Sequence, residues 1–175
     1  YSDRYGPDSK YYATHVGLQK SIQVNLKEYY AQLAAHFHSQ GQQALKKSEK
    51  NPEQAHLAKI ASQSLTQAAD FYGRYLTLFP NDKAVAALRY KKADAHFENK
   101  QYVAAAQDYN TVAYNPGRYQ LTNKAAYAGI IALNLYMDEL TAKEADKEQL
   151  DKWQATSLQG RLKFSKVFHN DKRSI

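Results

Sequence analysis

Residues 65–82 read LTQAADFYGRYLTLFPND, and together with residues 83–117 they decide the fold. Apolar and small side chains recur there every three or four positions, which is the spacing of one face of an α-helix. Pro80 ends the first helix, because proline lacks a backbone N–H and disfavours the helical region for the residue before it. The polar turn at residues 99–101 separates two further helices. This order of helix, break, helix, turn and helix is typical of helix-hairpin repeats, and it predicts an all-α fold.

The composition agrees with a folded helical chain and excludes several kinds of site. Hydrophobic residues make up 43% of the 175 residues, whereas glycine (7) and proline (4) are scarce, and this balance favours packed helices. Because the chain has no cysteine, disulfides, thiolate zinc sites and cysteine nucleophiles are excluded. The longest apolar run, residues 125–137, is too short to span a membrane and is interrupted by Gly129 and Asn134.

The periodicity predicts about six helices in antiparallel pairs within a single domain at residues 1–175. We expect an extended lead-in at residues 1–15, a first hairpin at 16–80, a central hairpin at 83–117 and a third, divergent hairpin at 121–170. Asn51 and Pro52 are expected to start the second helix, Asn81 or Asp82 to cap the third, and residues 115–117 to end the fourth. Since the chain begins at Tyr1 without methionine, we expect a fragment of a longer chain or a mature form.

The central hairpin carries aromatic and small residues in a fixed order. Its first helix has Tyr90, Ala93, Ala95 and Phe97, and its second has Tyr102, Ala105, Tyr109 and Val112. In this order the hairpin resembles a tetratricopeptide repeat, a helical unit of about 34 residues. The resemblance implies antiparallel hairpins stacked as a right-handed solenoid, with small residues where helices approach closely and aromatic rings between successive hairpins. Arg89 and Lys92 depart from the family pattern, which usually has an aromatic residue and a leucine there.

Two helix endings share a sequence pattern. Residues 75–82 read YLTLFPND and residues 164–171 read FSKVFHND, so we predict that the second is a diverged copy of the first. The first ending, with Ala84 and Ala87 after it, is similar to endings in bacterial envelope repeat proteins such as outer-membrane assembly lipoproteins and cell-division coordinators. This resemblance implies a periplasmic or cell-envelope location, and a cytoplasmic location is the alternative.

The resemblance also implies where a partner would bind. In tetratricopeptide proteins the first helix of each hairpin lines a concave groove, and the residues that would then face a peptide or helix of a partner are Tyr90, Asp94, Phe97, Glu98, Ala126, Ile130 and Asn134. Tyr90 and Asp94 stand where carboxylate-clamp members of the family carry lysine and asparagine, which disfavours recognition of a chaperone C-terminus. The alternative for Tyr90 and Phe97 is a place in the core.

The chain is basic, with a formal net charge of +7. The cations that draw attention are Arg89, Lys91, Lys92, Arg161, Lys163 and Lys166. Such residues predict an acidic partner, an anionic membrane surface or nucleic acid, and the alternative is a solvated helix face. Nucleic-acid binding is therefore the second functional hypothesis, and it predicts an affinity that falls steeply with salt.

The sequence holds no pattern typical of catalysis. The glycines do not form a phosphate-binding loop. His36 and His38 lie two positions apart on a helix and point in different directions, so they cannot share a metal ion. Asp94 and Glu98 lie one turn apart and would act as an acid–base pair only inside a pocket. We therefore predict a non-enzymatic protein-interaction scaffold without metal or cofactor, or else a structural segment of a longer solenoid.

Overall fold

The computed structural model describes residues 2–115 and 120–174. Two short helices come first, and six long helices follow them. A 3₁₀ turn (Val16–Leu18) leads into the first long helix. In chain order the helices are α1 (Ser2–Tyr5), α2 (Lys10–Thr14), α3 (Gln19–Lys50), α4 (Ala55–Leu78), α5 (Val85–Glu98), α6 (Tyr102–Tyr114), α7 (Thr122–Ala142) and α8 (Lys147–Val167). These residues form no β-strand, so the all-α prediction is confirmed.

The chain divides into two compact units, with the boundary between Asp82 and Lys83. Helices α1 to α4 belong to the first unit and α5 to α8 to the second. The sequence predicts one continuous domain instead. The boundary falls just after Pro80, where the missing backbone N–H stops α4 from continuing.

The first unit is built around the contact between α3 and α4. Gly41 lies so close to α4 that an added Cβ would stand 2.7 Å from Cγ of Leu65. One turn earlier on α3, the ring of His38 packs edge-on against Tyr72, with ring centroids 5.9 Å apart. The Tyr72 hydroxyl lies 3.4 Å from Nδ1 of that histidine. The missing side chain at Gly41 therefore sets how closely the two helices approach.

The prediction of an extended lead-in is wrong, because α1 and α2 occupy most of it. Ser9 caps α2 by accepting a hydrogen bond from the Tyr12 N–H (3.1 Å). Tyr11 packs edge-on against Tyr5 and is stacked on His15, with ring centroids 4.9 and 3.9 Å apart. Helices this short are fixed by a cap and by ring contacts, and hydrophobic periodicity does not reveal them.

The second unit has a core of alanines and aromatic residues. Helix α6 packs against both α5 and α7, and α8 packs on α7. Ala93, Ala105 and Ala126 have no accessible surface. Gly129 brings α7 close to α6, since an added Cβ would lie 3.0 Å from the side-chain oxygen of Asn110. Small residues thus permit close helix packing in the central hairpin, as the sequence predicts.

Two helices end on a non-glycine residue in the left-handed conformation. Lys100 (φ 58°) follows α5, and Glu144 (φ 53°) follows α7. After α5, the Gln101 N–H donates to the His96 carbonyl (2.8 Å) and the Lys100 N–H donates to the Phe97 carbonyl (3.0 Å). The same pair of hydrogen bonds follows α7. Both endings are therefore Schellman motifs, a helix stop that normally uses glycine.

The two helix endings with a shared sequence pattern also share a structure. The Asp82 N–H donates to the Phe79 carbonyl (3.1 Å), and the Asp171 N–H donates to the Phe168 carbonyl (2.8 Å). Phe79 and Phe168 are the C-cap residues of α4 and α8. The two endings therefore share a backbone hydrogen bond, and the descent of residues 164–171 from a copy of residues 75–82 stays a prediction.

Two predicted helix boundaries come out differently, and a third is met as far as the described residues go. Asp82 does not cap α5, whose N-cap is Ala84; its carboxylate instead forms an ion pair with Lys27 of α3. Asn51 is the C-cap of α3, and α4 starts only at Ala55. The predicted end of the fourth helix at residues 115–117 is met by Asn115, the C-cap of α6, and residues 116–117 lie outside the described residues.

Candidate functional site

A groove of about 630 Å³ lies between α7 and α8, entirely within the second unit. This is a volume typical of ligand-binding pockets. Helix α7 lines it with Tyr127, Ile130, Ile131 and Asn134. Helix α8 and the segment after it supply the opposite side. We call this feature the α7/α8 groove.

The walls of the α7/α8 groove are apolar and open. Leu158 and Leu162, one turn apart on α8, are 56% and 63% exposed. Ile131 is the exposed apolar residue on the α7 side, whereas Ile130 and Phe164 are buried beneath. Contiguous exposed leucines and isoleucine beside a polar rim are typical of surfaces that bind another molecule.

The charged side chains that line the groove are all cationic: Arg161, Lys172 and Arg173. Arg161 is exposed and donates a hydrogen bond to the side-chain oxygen of Asn134 (3.2 Å). Lys172 is also exposed, and it forms no ion pair among the described residues. The groove is therefore an apolar channel with a positive rim, on which Arg173 is paired with Asp171.

Asp171 fixes the segment that follows α8. Its carboxylate accepts hydrogen bonds from Nε and Nη2 of Arg173 (2.7 and 2.6 Å) and from the side chain of Asn123 at the start of α7 (2.9 Å). The hydrogen bonds from Arg173 hold the pKa of Asp171 well below its ordinary value. The guanidinium of Arg173 in turn lies over the ring of Tyr127, 4.7 Å from its centroid. These contacts set the position of the cationic end of the groove.

Three of the predicted groove residues, each half-buried, converge on Tyr109 of α6. The Tyr109 hydroxyl donates to the Asp94 carboxylate at 2.5 Å. The rings of Tyr90 and Phe97 pack against Tyr109 with centroids 5.4 and 6.4 Å away. Burial, followed by the hydrogen bond to Asp94, raises the pKa of Tyr109. Tyr90 and Phe97 pack against the core, as the alternative interpretation holds.

Of the remaining predicted groove residues, two line the α7/α8 groove and two lie elsewhere. Glu98 is half-buried near the end of α5, and its charge contributes to the raised pKa of Tyr109. Placing Ala126 against a ligand is wrong, because it is fully buried in the core. Ile130 and Asn134 do line the α7/α8 groove, so the structure brings these two together with Arg161.

Two of the predicted surface cations serve an internal contact. Arg89 and Lys92 of α5 lie 3.1 and 3.0 Å from the carboxylate oxygens of Asp108, a buried residue of α6. Nε2 of His96, one turn further along α5, lies 3.9 Å from the same carboxylate. This ion cluster takes the place of the aromatic residue and leucine that the repeat pattern leads one to expect at 89 and 92.

The other predicted cations do not form one patch. Lys91 is exposed on α5, and Lys166 is exposed on α8. Lys163 lies over the ring of Tyr114, 3.8 Å from its centroid. Arg161 and Lys163 are two positions apart on α8 and therefore point about 160° away from each other. The nucleic-acid hypothesis gains no support from this arrangement.

The sequence analysis did not single out Leu158 and Leu162, which the structure places on the surface of α8. The signal was in their spacing. At about 100° per residue, Leu158 lies about 140° from Trp153, whereas Phe164 lies only about 20° from it. Helix α8 therefore has two apolar faces. Trp153 and Phe164 pack against Tyr136 and Tyr127 of α7, and the other face stays open.

The described residues contain no cluster of three or more His, Asp or Glu side chains suited to a metal ion. His36 is exposed, while His38 is buried against Tyr72, so the two histidines face opposite surroundings. None of the helices in this part of the chain combines the length and apolar character required to cross a bilayer.

Comparison with protein-family models, with curated proteins and with solved structures finds no match to this chain.

Proposed function

We propose that this protein is a non-enzymatic interaction scaffold of the tetratricopeptide type, which binds a segment of a partner protein in the α7/α8 groove. The observation that carries the proposal is the pair of exposed leucines, Leu158 and Leu162, beside the exposed Ile131 of α7. These side chains contact water unless another molecule covers them. Full burial of one such side chain is favourable by about 1.5–3 kcal/mol of transfer free energy.

The position of the groove supports binding without a large rearrangement. Its buried base belongs to the core of the second unit, through Ile130 and Phe164. The contacts of Asn134 with Ser157 (2.9 Å) and Arg161 (3.2 Å) join α7 to α8 along it. A pre-formed surface loses little conformational entropy on binding, which favours affinity.

The cellular context of the proposal rests on the sequence resemblance alone. We propose a partner within a bacterial cell-envelope assembly, with a periplasmic location. Fractionation of cells expressing the native full-length protein tests this part separately, since a cytoplasmic result would leave the groove proposal untouched.

The proposal is tested by affinity capture with the native full-length protein and quantitative mass spectrometry. Leu158→Asp combined with Leu162→Asp is expected to reduce the captured partner about tenfold or more, because two carboxylates replace the apolar wall. Val24→Asp with Ile60→Asp is the matched control, since both are exposed apolar residues on helices of the first unit. Undiminished capture by the groove variant, with folding verified by circular dichroism, refutes the proposal.

A further inference from the structure

The shared helix ending allows α8 to be compared with α4 position by position. With Asp171 aligned on Asp82, the groove residues Leu158, Arg161 and Ser165 correspond to Ala69, Tyr72 and Leu76 of α4. The three positions of α4 are all buried. The three corresponding positions of α8 are thus more exposed than their counterparts in α4.

The first unit shows what covers this face. Tyr72 of α4 packs against His38, and Leu65, two turns earlier on the same face, meets Gly41. Both partners belong to α3, so an antiparallel helix covers the face. In the second unit α7 contacts α8 at Ser157 and reaches Arg161 through Asn134, whereas Leu158 and Leu162 stay 56% and 63% exposed. A helix of another molecule laid along α8, as α3 lies along α4, would cover Leu158 and Leu162.

The charges of the groove select among helices. Arg161 and Lys172 lie on the rim and are exposed, while Arg173 is paired with Asp171. Among the described residues, no carboxylate side chain lines the groove. A basic segment would meet like charge there, and an acidic one would gain both steering and contact energy.

We infer that the occupant of the α7/α8 groove is an amphipathic helix of a partner protein, whose apolar face is flanked by aspartate or glutamate. This inference rests on the proposed function and specifies the partner. Its apolar residues, spaced as i, i+3 or i+4 and i+7, pack on Leu158, Leu162 and Ile131. Its carboxylates pair with Arg161 and Lys172 at the rim.

The test is a selection from a displayed peptide library on the purified chain. Leucine is fixed at helical spacing in every peptide, and the flanking positions are random. Enrichment of Asp and Glu over Lys and Arg by about tenfold is expected at the flanks on the wild-type protein. Arg161→Glu with Lys172→Glu should reverse that preference. Lys91→Glu with Lys147→Glu makes the same change in net charge at exposed positions outside the groove and should leave the preference intact.

Three results would overturn the inference: no helical peptide enriched, enrichment without a charge preference, or a preference that both charge variants reverse equally. Laurate and phosphatidylglycerol vesicles are tested in parallel. If they bind in a manner dependent on Arg161 while no peptide is enriched, the groove takes an anionic lipid and the inference is wrong.

These outcomes separate the inference from the proposed function. Native capture that depends on Leu158 and Leu162, together with a selection that shows no acidic preference, leaves the scaffold function standing and removes the acidic helix. The opposite result is an acidic preference in the selection together with native capture that does not depend on either leucine. It would refute the proposed function at this groove, although the groove would still prefer acidic helices.

Discussion

Asp82 and Asp171 play the same part after two different helices. Each donates its backbone N–H to the carbonyl of a phenylalanine C-cap three residues before it. Each carboxylate then reaches back to the helix that precedes its own, Asp82 to Lys27 of α3 and Asp171 to Asn123 of α7. The two endings therefore share a sequence pattern, a hydrogen bond that ends the helix and a side-chain contact with the preceding helix. This shared pattern provides the register in which the open face of α8 is recognised.

Gly41→Ala should destabilise the first unit even though alanine is the better helix former. The new Cβ would lie 2.7–2.8 Å from Cγ and Cδ2 of the buried Leu65 and 3.1 Å from its backbone nitrogen. We expect a loss of about 1–3 kcal/mol in the free energy of unfolding, measured by urea denaturation.

Gly160→Ala is the matched control for this substitution. An added Cβ there meets only Cγ1 of Ile130, at an ordinary 3.8 Å. Helix propensity should then increase the unfolding free energy by about 0.5–1 kcal/mol. If the two alanine variants were stabilised alike, the close approach of α3 and α4 at Gly41 would be refuted.

Glycine at the two left-handed helix stops should stabilise the second unit. Lys100 and Glu144 have φ values of 58° and 53°, where a Cβ is strained and glycine is not. We expect Lys100→Gly and Glu144→Gly each to increase the unfolding free energy by about 0.5–1 kcal/mol. Lys91→Gly, in the interior of α5, should decrease it by about 1 kcal/mol. Equal losses in all three variants would argue against the Schellman motifs.

Removing the buried carboxylate of Asp108 should destabilise the fold, because Arg89 and Lys92 would lose their counter-ion. In Asp108→Asn, Arg89 and Lys92 keep their charge in a largely buried place without a counter-ion, and we expect a loss of about 1–3 kcal/mol in unfolding free energy. Replacing the three together, as Arg89→Met, Lys92→Leu and Asp108→Leu, should recover most of that loss. A triple variant less stable than Asp108→Asn would contradict this account.

The contact between Tyr75 and Asp82 should make the free energy of unfolding fall as the pH rises above about 10. Burial, and then the hydrogen bond to Asp82, raises the pKa of Tyr75 from 10.0 to about 12. Since the unfolded chain loses this proton first, the contribution is fully present below the unfolded pKa and is lost as the pH rises through the folded one.

Tyr75→Phe tests this dependence. The difference in unfolding free energy between wild type and variant should be constant below about pH 10 and shrink between about pH 10 and 12. Chemical denaturation over that range measures it. A difference that does not change with pH would show that the Tyr75 proton is not held by the fold.

The helices and their small-residue contacts were predictable from sequence, because periodicity and alanine spacing are local signals. The six long helices and the burial of Ala93 and Ala105 follow from them. The ion cluster of Asp108 with Arg89 and Lys92 was not predictable, because a charge on a helix gives no sign of which distant residue it will meet. Its residues come from two helices, and only packing brings them together.

The site was only partly predictable for a different reason. The repeat pattern directed attention to the first helices of the hairpins, where Ile130 and Asn134 do reach the groove. Leu158 and Leu162 could not be recognised as exposed, because a stripe of apolar residues does not show whether a second helix covers it. The two apolar faces of α8 become distinct only once α7 is seen to cover one of them.

The most direct test of the central claim is site-specific photocrosslinking in cells that express the native full-length protein. A photoreactive phenylalanine derivative replaces Leu162 in the groove or, as the control, Val24 on α3, both exposed. We expect a discrete crosslinked partner from position 162, absent from position 24 and lost when Arg161→Glu and Lys172→Glu are added. Crosslinks of equal yield and pattern from both positions, or none from position 162, would contradict it.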